Sequence, residues 1–358
     1  MRNTKALVAT AASVGMLALA ALGGVAHAAT DTNVGSTTTF AGVGSDTTQD
    51  VMTGLSGVID DGTAAKNPLI SNYVATGSTQ ISTRSNNPNC TFNRPANSGG
   101  GVDALSAAMR SAAYGGSTNL AGCVDFARSS SGSKFPTTSP GTGTMTYIPF
   151  ATDAVTYATL TTSNVPHNLQ KADLIAIYSA NTGSCISTFQ PLLPALGSGT
   201  RGFFVKTVLG LSDVAIGAPG GPGTCVKDVD ANSTPIQEHD GRFVTNSNQL
   251  VPISVAQYIA QGSGIISDIR GRTSLGSIDD ANNGVVKSGL SLSTNFGFTR
   301  SVYNVVPTTN LSTGATPNAT FDSVFEGASS KICTNVATIN LYGFAASANC
   351  GNTSVKNP

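Results

Sequence analysis

The sequence predicts an α/β fold in which strands alternate with amphipathic helices. Three observations lead there. Met145–Tyr157, Leu250–Ile253 and Ser301–Val306 are extended, largely apolar runs. Leu174, Ile177 and Tyr178, and then Val255 to Ala260, follow helical spacing. Apolar residues make up 40% of the 358, too many for a disordered chain and enough for real cores. The length suggests two domains of ordinary size.

The elements follow in order. Arg2 and Lys5, the apolar stretch Ala6–Leu22 and the small-x-small site Ala26-His27-Ala28 form a secretory signal peptide, with cleavage expected after Ala28. The stretch is short for a membrane anchor, and no second long apolar run follows it. With no Cys at the cleavage site, a lipid anchor there is not expected. Thr30–Thr39 is a polar lead-in. Three Gly/Ser loops then each precede a helical pattern. Gly42-Val43-Gly44-Ser45-Asp46-Thr47 leads into Val51, Met52, Leu55, Val58 and Ile59; Asp46 with Gln49 resembles a capping box. Asn97-Ser98-Gly99-Gly100-Gly101 leads into Val102, Leu105 and Met109. Leu196-Gly197-Ser198-Gly199-Thr200-Arg201 leads into Phe203, Phe204 and Val208. A fourth polar loop, Asp125–Gly132, carries Arg128, Ser129 and Ser130. Gly217–Gly223 is a loop that Cys225 could pin.

Cys90, Cys123, Cys185, Cys225, Cys333 and Cys350 are an even set in a chain with an export signal, which reads as disulfides. No C-x-x-C pair is present, so zinc and thioredoxin-type chemistry are not expected. The sequential pairings Cys90–Cys123, Cys185–Cys225 and Cys333–Cys350 are favoured, because each closes a local loop.

Charge is scarce. Nineteen basic residues balance nineteen acidic ones, and only 11% of the chain is charged. Without basic blocks, nucleic acid and anionic membranes are excluded as partners. The Gly/Ser loops offer a different route to an anion. Glycine lets backbone N–H groups come close, helix N-termini carry partial positive charge, and hydroxyls add donors. Several such loops meeting at one point would hold a small tetrahedral oxyanion. The alternative for each loop is a plain turn and helix cap.

The motifs resemble those of the phosphate-binding proteins of bacterial ABC phosphate importers, members of the two-lobed solute-binding superfamily. Gly197-Ser198-Gly199-Thr200 looks like the family's Ser-Gly-Thr signature, and Gly42–Thr47 resembles its first Gly-rich loop. Ser98-Gly99-Gly100 resembles the second loop, and Asp125-Phe126 with Ser129-Ser130 resembles a further ligand segment. Ile148-Pro149 through Val155 resembles the first crossing between lobes. There are departures. The family's Arg and Asp just before the signature are here Pro194 and Leu196, and its proton-accepting Asp falls near Ser130. Arg201 or Arg128 would replace the guanidinium, and Asp46 the carboxylate. If Asp46 points at the ligand, phosphate is favoured over sulfate; if it only caps the helix, that filter is lost.

The resemblance implies a type II periplasmic-binding-protein-like fold of mixed sheets flanked by helices, with a cleft between lobes. Lobe 1 would hold 29–149 and 306–358, and lobe 2 would hold 150–305. It implies a monomeric, secreted or periplasmic protein, not an enzyme and without a cofactor or metal. Such a protein would capture inorganic phosphate, or a similar oxyanion, for an ABC permease. The ligand set would be Ser45, Asp46, Thr47, Ser98, Gly99, Arg128, Ser129, Ser130, Gly197, Ser198, Gly199, Thr200 and Arg201. Two other readings are open. One is a secreted binding-fold protein that scavenges or adheres without an importer. The other is a secreted hydrolase. For the hydrolase, no Gly-x-Ser-x-Gly elbow exists, and Ser131–Lys134 fits S-x-x-K without its partner motifs. His239, in Gln237–Gly241, reads as part of a charged surface turn more readily than as a metal ligand.

Overall fold

The computed structural model describes residues 30–133, 144–186, 188–278 and 285–357. The signal sequence, and Lys134 of the S-x-x-K pattern, lie outside these residues.

In chain order the elements that place the site are β1 (Phe40–Gly44), α1 (Gln49–Ser56), β2 (Ile70–Asn72) and α2 (Ser98–Met109). Next come β3 (Phe126–Ser129), β4 (Met145–Leu160), α3 (Lys171–Ser179) and β5 (Gln190–Pro191). Then follow α4 (Gly199–Phe203), β6 (Gln249–Ser254), α5 (Val255–Gly262) and β7 (Thr299–Pro307). The strands line up in the order β2-β1-β3-β7-β4-β6-β5, so the chain is a mixed α/β structure. β1 is parallel to β2 and β3, β7 is antiparallel to β3 and β4, and β6 is antiparallel to β4 but parallel to β5.

β4 organises the molecule. Its first part, Met145–Ala154, pairs with β7, and its second, Val155–Thr159, pairs with β6. The apolar cores divide at the same place. Val51, Phe126, Ile148, Val302 and Phe321 share one core, adjoined by a second around Val43, Leu105 and Val305. Val155, Leu174, Phe204, Leu250 and Phe298 form the core of the other side. The two-lobed shape follows from these separate cores on one continuous strand. The C-terminal return is held to the first core by rings, with Phe321 4.9 Å from Phe40 and Phe325 5.0 Å from Phe126.

The three disulfides are Cys90–Cys123, Cys185–Cys225 and Cys333–Cys350, the sequential pairing. Two local expectations change. α1 ends at Ser56, which leaves Val58 half exposed. α2 buries Gly101, Ala104, Leu105 and Ala108 rather than a Val102–Leu105–Met109 face. The reason is close approach: a Cβ on Gly101 would lie 2.5 Å from the Gly44 Cα. Only small residues let α2 settle this near β1.

Candidate functional site

The four polar loops meet between the lobes. On the first side, Gly44 turns the chain out of β1 at φ +117, a conformation that favours glycine. Ser45 to Thr48 then cross the end of the sheet, where the Ser45 N–H donates to the Arg128 carbonyl (3.1 Å). Asn97 caps α2, accepting from the Gly100 N–H (2.9 Å), and so presents Ser98. The Ser98 hydroxyl accepts from the Ser130 N–H at 3.1 Å and lies 3.2 Å from the Ser130 hydroxyl. Ser129 turns to the Ser131 carbonyl instead (2.7 Å).

On the second side, Gly197 turns at φ +96 and Ser198 caps α4, accepting from the Arg201 N–H (2.9 Å). The sides touch directly. The Gly99 N–H donates to the Gly197 carbonyl (3.3 Å), and a Cβ on Gly199 would lie 2.2 Å from the Ser130 hydroxyl. Thr47 and Thr200 place their hydroxyls 3.3 Å apart. Beside this contact opens a cleft of 690 Å³, lined in part by Ser98, Ser129, Ser131, Gly197 and Ser198.

The charged residues depart from expectation. Arg128 is fully buried, but its guanidinium donates to Asn72 (2.7 Å) and to the carbonyls of Gly42, Gly44 and Ser45. Burial, its largest influence, pulls its pKa down to about 9, which leaves it cationic at neutral pH. Arg201 donates to Asp213 (3.1 Å), to Asp228 (3.3 Å) and to the carbonyls of Pro194 and Val214. Every nitrogen of both groups is already committed. The reason for Arg201 is helical geometry: consecutive residues of a helix point about 100° apart. With Thr200 on the contact, Arg201 faces away from it.

The cation in the contact is Arg300, which the sequence reading missed. It stands near the start of β7 and donates twice to Asp153 on β4, at 3.0 and 2.8 Å, and once to the Thr200 hydroxyl, at 2.9 Å. Asp153 is positioned in turn by the Ser254 hydroxyl (2.9 Å) and the Ala256 N–H (3.0 Å) at the start of α5. Arg300 Nη1 is buried with no hydrogen-bond partner.

Glu238, His239 and Asp240 are buried, not a surface turn. Glu238 Oε2 accepts from the Thr200 hydroxyl (3.1 Å) and from the Thr47 hydroxyl, one from each side. Asp46 does not cap α1. Thr48 is the N-cap and makes no side-chain bond, and Gln49 uses its carbonyl oxygen on the Ala75 N–H (2.8 Å), so the capping box is absent. The Asp46 carboxyl instead faces Glu238, with His239 Nδ1 3.8 Å from its Oδ2. Burial, then the charge of Glu238, raises Asp46 well above its usual range. Burial pushes Glu238 up as well, but hydrogen bonds from Asp46, Ser198 and Thr47 and the charge of Arg300 outweigh it and hold Glu238 low. Of the two facing carboxyls, Asp46 is the one that holds a proton more readily. Among the described residues no cluster is arranged to hold a metal.

This fixes a pH dependence. Asp46 has a raised folded pKa, so its contribution to stability is complete below the unfolded value of 3.8 and is lost as pH rises through the folded value. Glu238 acts oppositely, losing its contribution as pH falls below the ordinary 4.5. Asp46→Asn keeps a neutral donor and removes the alkaline-side loss. As pH rises above 3.8, the melting temperature should fall less for this variant than for the parent protein. Equal slopes would place the proton elsewhere.

No known family's sequence model matches the chain, and no curated protein matches it by sequence. Solved structures are similar to it at low identity. An ABC-type phosphate transport receptor from Vibrio cholerae gives a TM-score of 0.45 at 16% identity, covering 86% of this chain and 100% of that one. A phosphate-binding protein from Stenotrophomonas maltophilia gives 0.41 at 14% identity, covering 87% and 91%. A Corynebacterium glutamicum OxyR mutant with bound H2O2 gives 0.42 at 11%, covering 86% of this chain and 69% of that one. Similarities of this size leave the ligand to be argued from the chain's own residues.

Proposed function

We propose that the chain is a secreted solute-binding protein that captures inorganic phosphate, or a similar tetrahedral oxyanion, between two lobes for ABC-type import. The supporting observation is the convergence of buried donors from both sides. Thr47, Ser98 and Ser130 come from one, and Ser198, Thr200 and Arg300 from the other, with Arg300 Nη1 unpartnered. A buried guanidinium N–H without an acceptor is costly, and an anion would satisfy it. The anion would sit among these donors, with Arg300 in the place first assigned to Arg128 or Arg201. In this reading the lobes part along β4 near Ala154–Val155, a few residues beyond the 149/150 boundary expected from sequence, and Val302 and Val305 pack with the first lobe rather than with 150–305. Contacts from both lobes would favour the closed form, which a permease could recognise. The three disulfides fit an oxidising, extracytoplasmic location. The site binds rather than catalyses, and needs no cofactor.

Asp46 faces the contact, but its raised pKa weakens its repulsion of a fully ionised anion. Sulfate is therefore expected to compete with phosphate. Calorimetric titration with each anion tests the reading. Thr200→Val and Ser198→Ala should each weaken binding by about 1–3 kcal/mol if those hydroxyls donate to the ligand. No heat with either anion, at any pH from about 6 to about 8, would remove the assignment.

A further inference from the structure

We propose that the Glu238 carboxylate is a built-in occupant of the oxyanion seat, and that an external anion binds there only by displacing it. The proposal rests on the anion-binding reading above and deepens it. The donors that would hold an oxyanion now hold Glu238. Thr47 and Thr200, from opposite sides, both donate to Oε2, with the Ser198 hydroxyl and the Arg300 charge close by. A carboxylate is a negatively charged group of acceptor oxygens, so it satisfies those donors as a free oxyanion would.

The seat is only partly satisfied by this occupant. Glu238 Oε1 has no hydrogen-bond partner, and neither do Ser45 Oγ, Asp46 Oδ1 or Arg300 Nη1, although all are buried. With Oε1 accepting nothing, the Glu238 carboxylate leaves donors such as Arg300 Nη1 idle, and a tetrahedral anion with more oxygens could use them. The backbone on either side of Glu238 is tied down. The Ile236 N–H donates to the Asp228 carbonyl (3.0 Å), and the Gln261 amide donates to the His239 carbonyl (3.0 Å). Displacement therefore falls to the side chain.

A tethered competitor lowers the apparent affinity of any free one, because its effective concentration is fixed by the chain. The same group would also screen ligands: an anion must outcompete a carboxylate, which singly charged, poorly accepting anions would not do.

The test is phosphate titration of the parent protein, Glu238→Ala and Glu238→Gln. It is joined by thermal melting of each in sodium formate, with sodium chloride as the ionic-strength control. Both variants should bind phosphate at least about tenfold more tightly than the parent. Formate should raise the melting temperature of Glu238→Ala and leave the parent unchanged, because a free carboxylate refills the vacated seat. If the parent binds phosphate, the variants bind no tighter and formate has no effect, Glu238 is no occupant, while the binding function stands. If formate stabilises Glu238→Ala but no form binds phosphate or sulfate, the occupied seat stands and the phosphate assignment falls. Should Glu238→Ala fail to fold, Glu238→Gln, which keeps the side-chain shape, decides the matter through its phosphate affinity.

Discussion

Arg300→Met lowers the unfolding free energy by about 3–5 kcal/mol, because it leaves the Asp153 carboxylate buried without its cation. Asp153 is fully buried, and the Arg300 side chain is 3% exposed, so water cannot replace the lost partner. The two bonds from Ser254 and Ala256 persist and place the loss toward the lower end of that range. Arg300→Lys retains the charge but cannot reproduce the fork that reaches both Asp153 and Thr200, so it should fall between the two. Adding Asp153→Asn to Arg300→Met should recover part of the loss, because the stranded charge is then gone. Urea unfolding at neutral pH measures all of these. A single variant within about 1 kcal/mol of the parent would mean that the pair is solvated in solution.

The Cys90→Ser/Cys123→Ser double variant is expected to lose about 3–4 kcal/mol, from the entropy of a reopened loop. The bridge spans 33 residues, and both of its sulfurs lie in the first lobe's core. Cys123 enters the chain just before β3, the strand that delivers Arg128, Ser129 and Ser130. Urea unfolding of the double variant should therefore show a lower midpoint and a somewhat steeper slope, because the unlinked unfolded chain is less compact. An unchanged midpoint would mean that the bridge contributes nothing to stability.

Much of this molecule can be read from its sequence, for identifiable reasons. Strands β4, β6 and β7 announce themselves because buried strands need continuous apolar, β-branched runs. The loops at Ser45, Ser98, Ser130 and Ser198 are visible because close approach demands glycine and local capping demands Ser or Asn. Six cysteines with local spacing gave their pairing. The charged half of the site was hidden. Arg201 and Arg128 stand next to the loops in sequence, but helical rotation and backbone carbonyls take them elsewhere. Arg300 and Asp153 meet because β7 and β4 are paired, a long-range register that local pattern does not carry. Glu238 was mistaken for surface because charged residues are seldom buried unless paired. The one available signal was Glu238-His239-Asp240 itself, a dense charged cluster in a chain with few charges.

The central claim is that an oxyanion binds where Thr47, Ser98, Ser130, Ser198, Thr200 and Arg300 converge. A crystal structure of the protein grown with inorganic phosphate tests it most directly. The anion should lie between the Ser98–Ser130 pair and the Ser198–Thr200 turn, within hydrogen-bond distance of Arg300, with the Glu238 side chain swung out of the contact. Phosphate held instead by Arg128 or Arg201, or an unliganded contact with Glu238 still bonded to Thr47 and Thr200 at saturating phosphate, would contradict it.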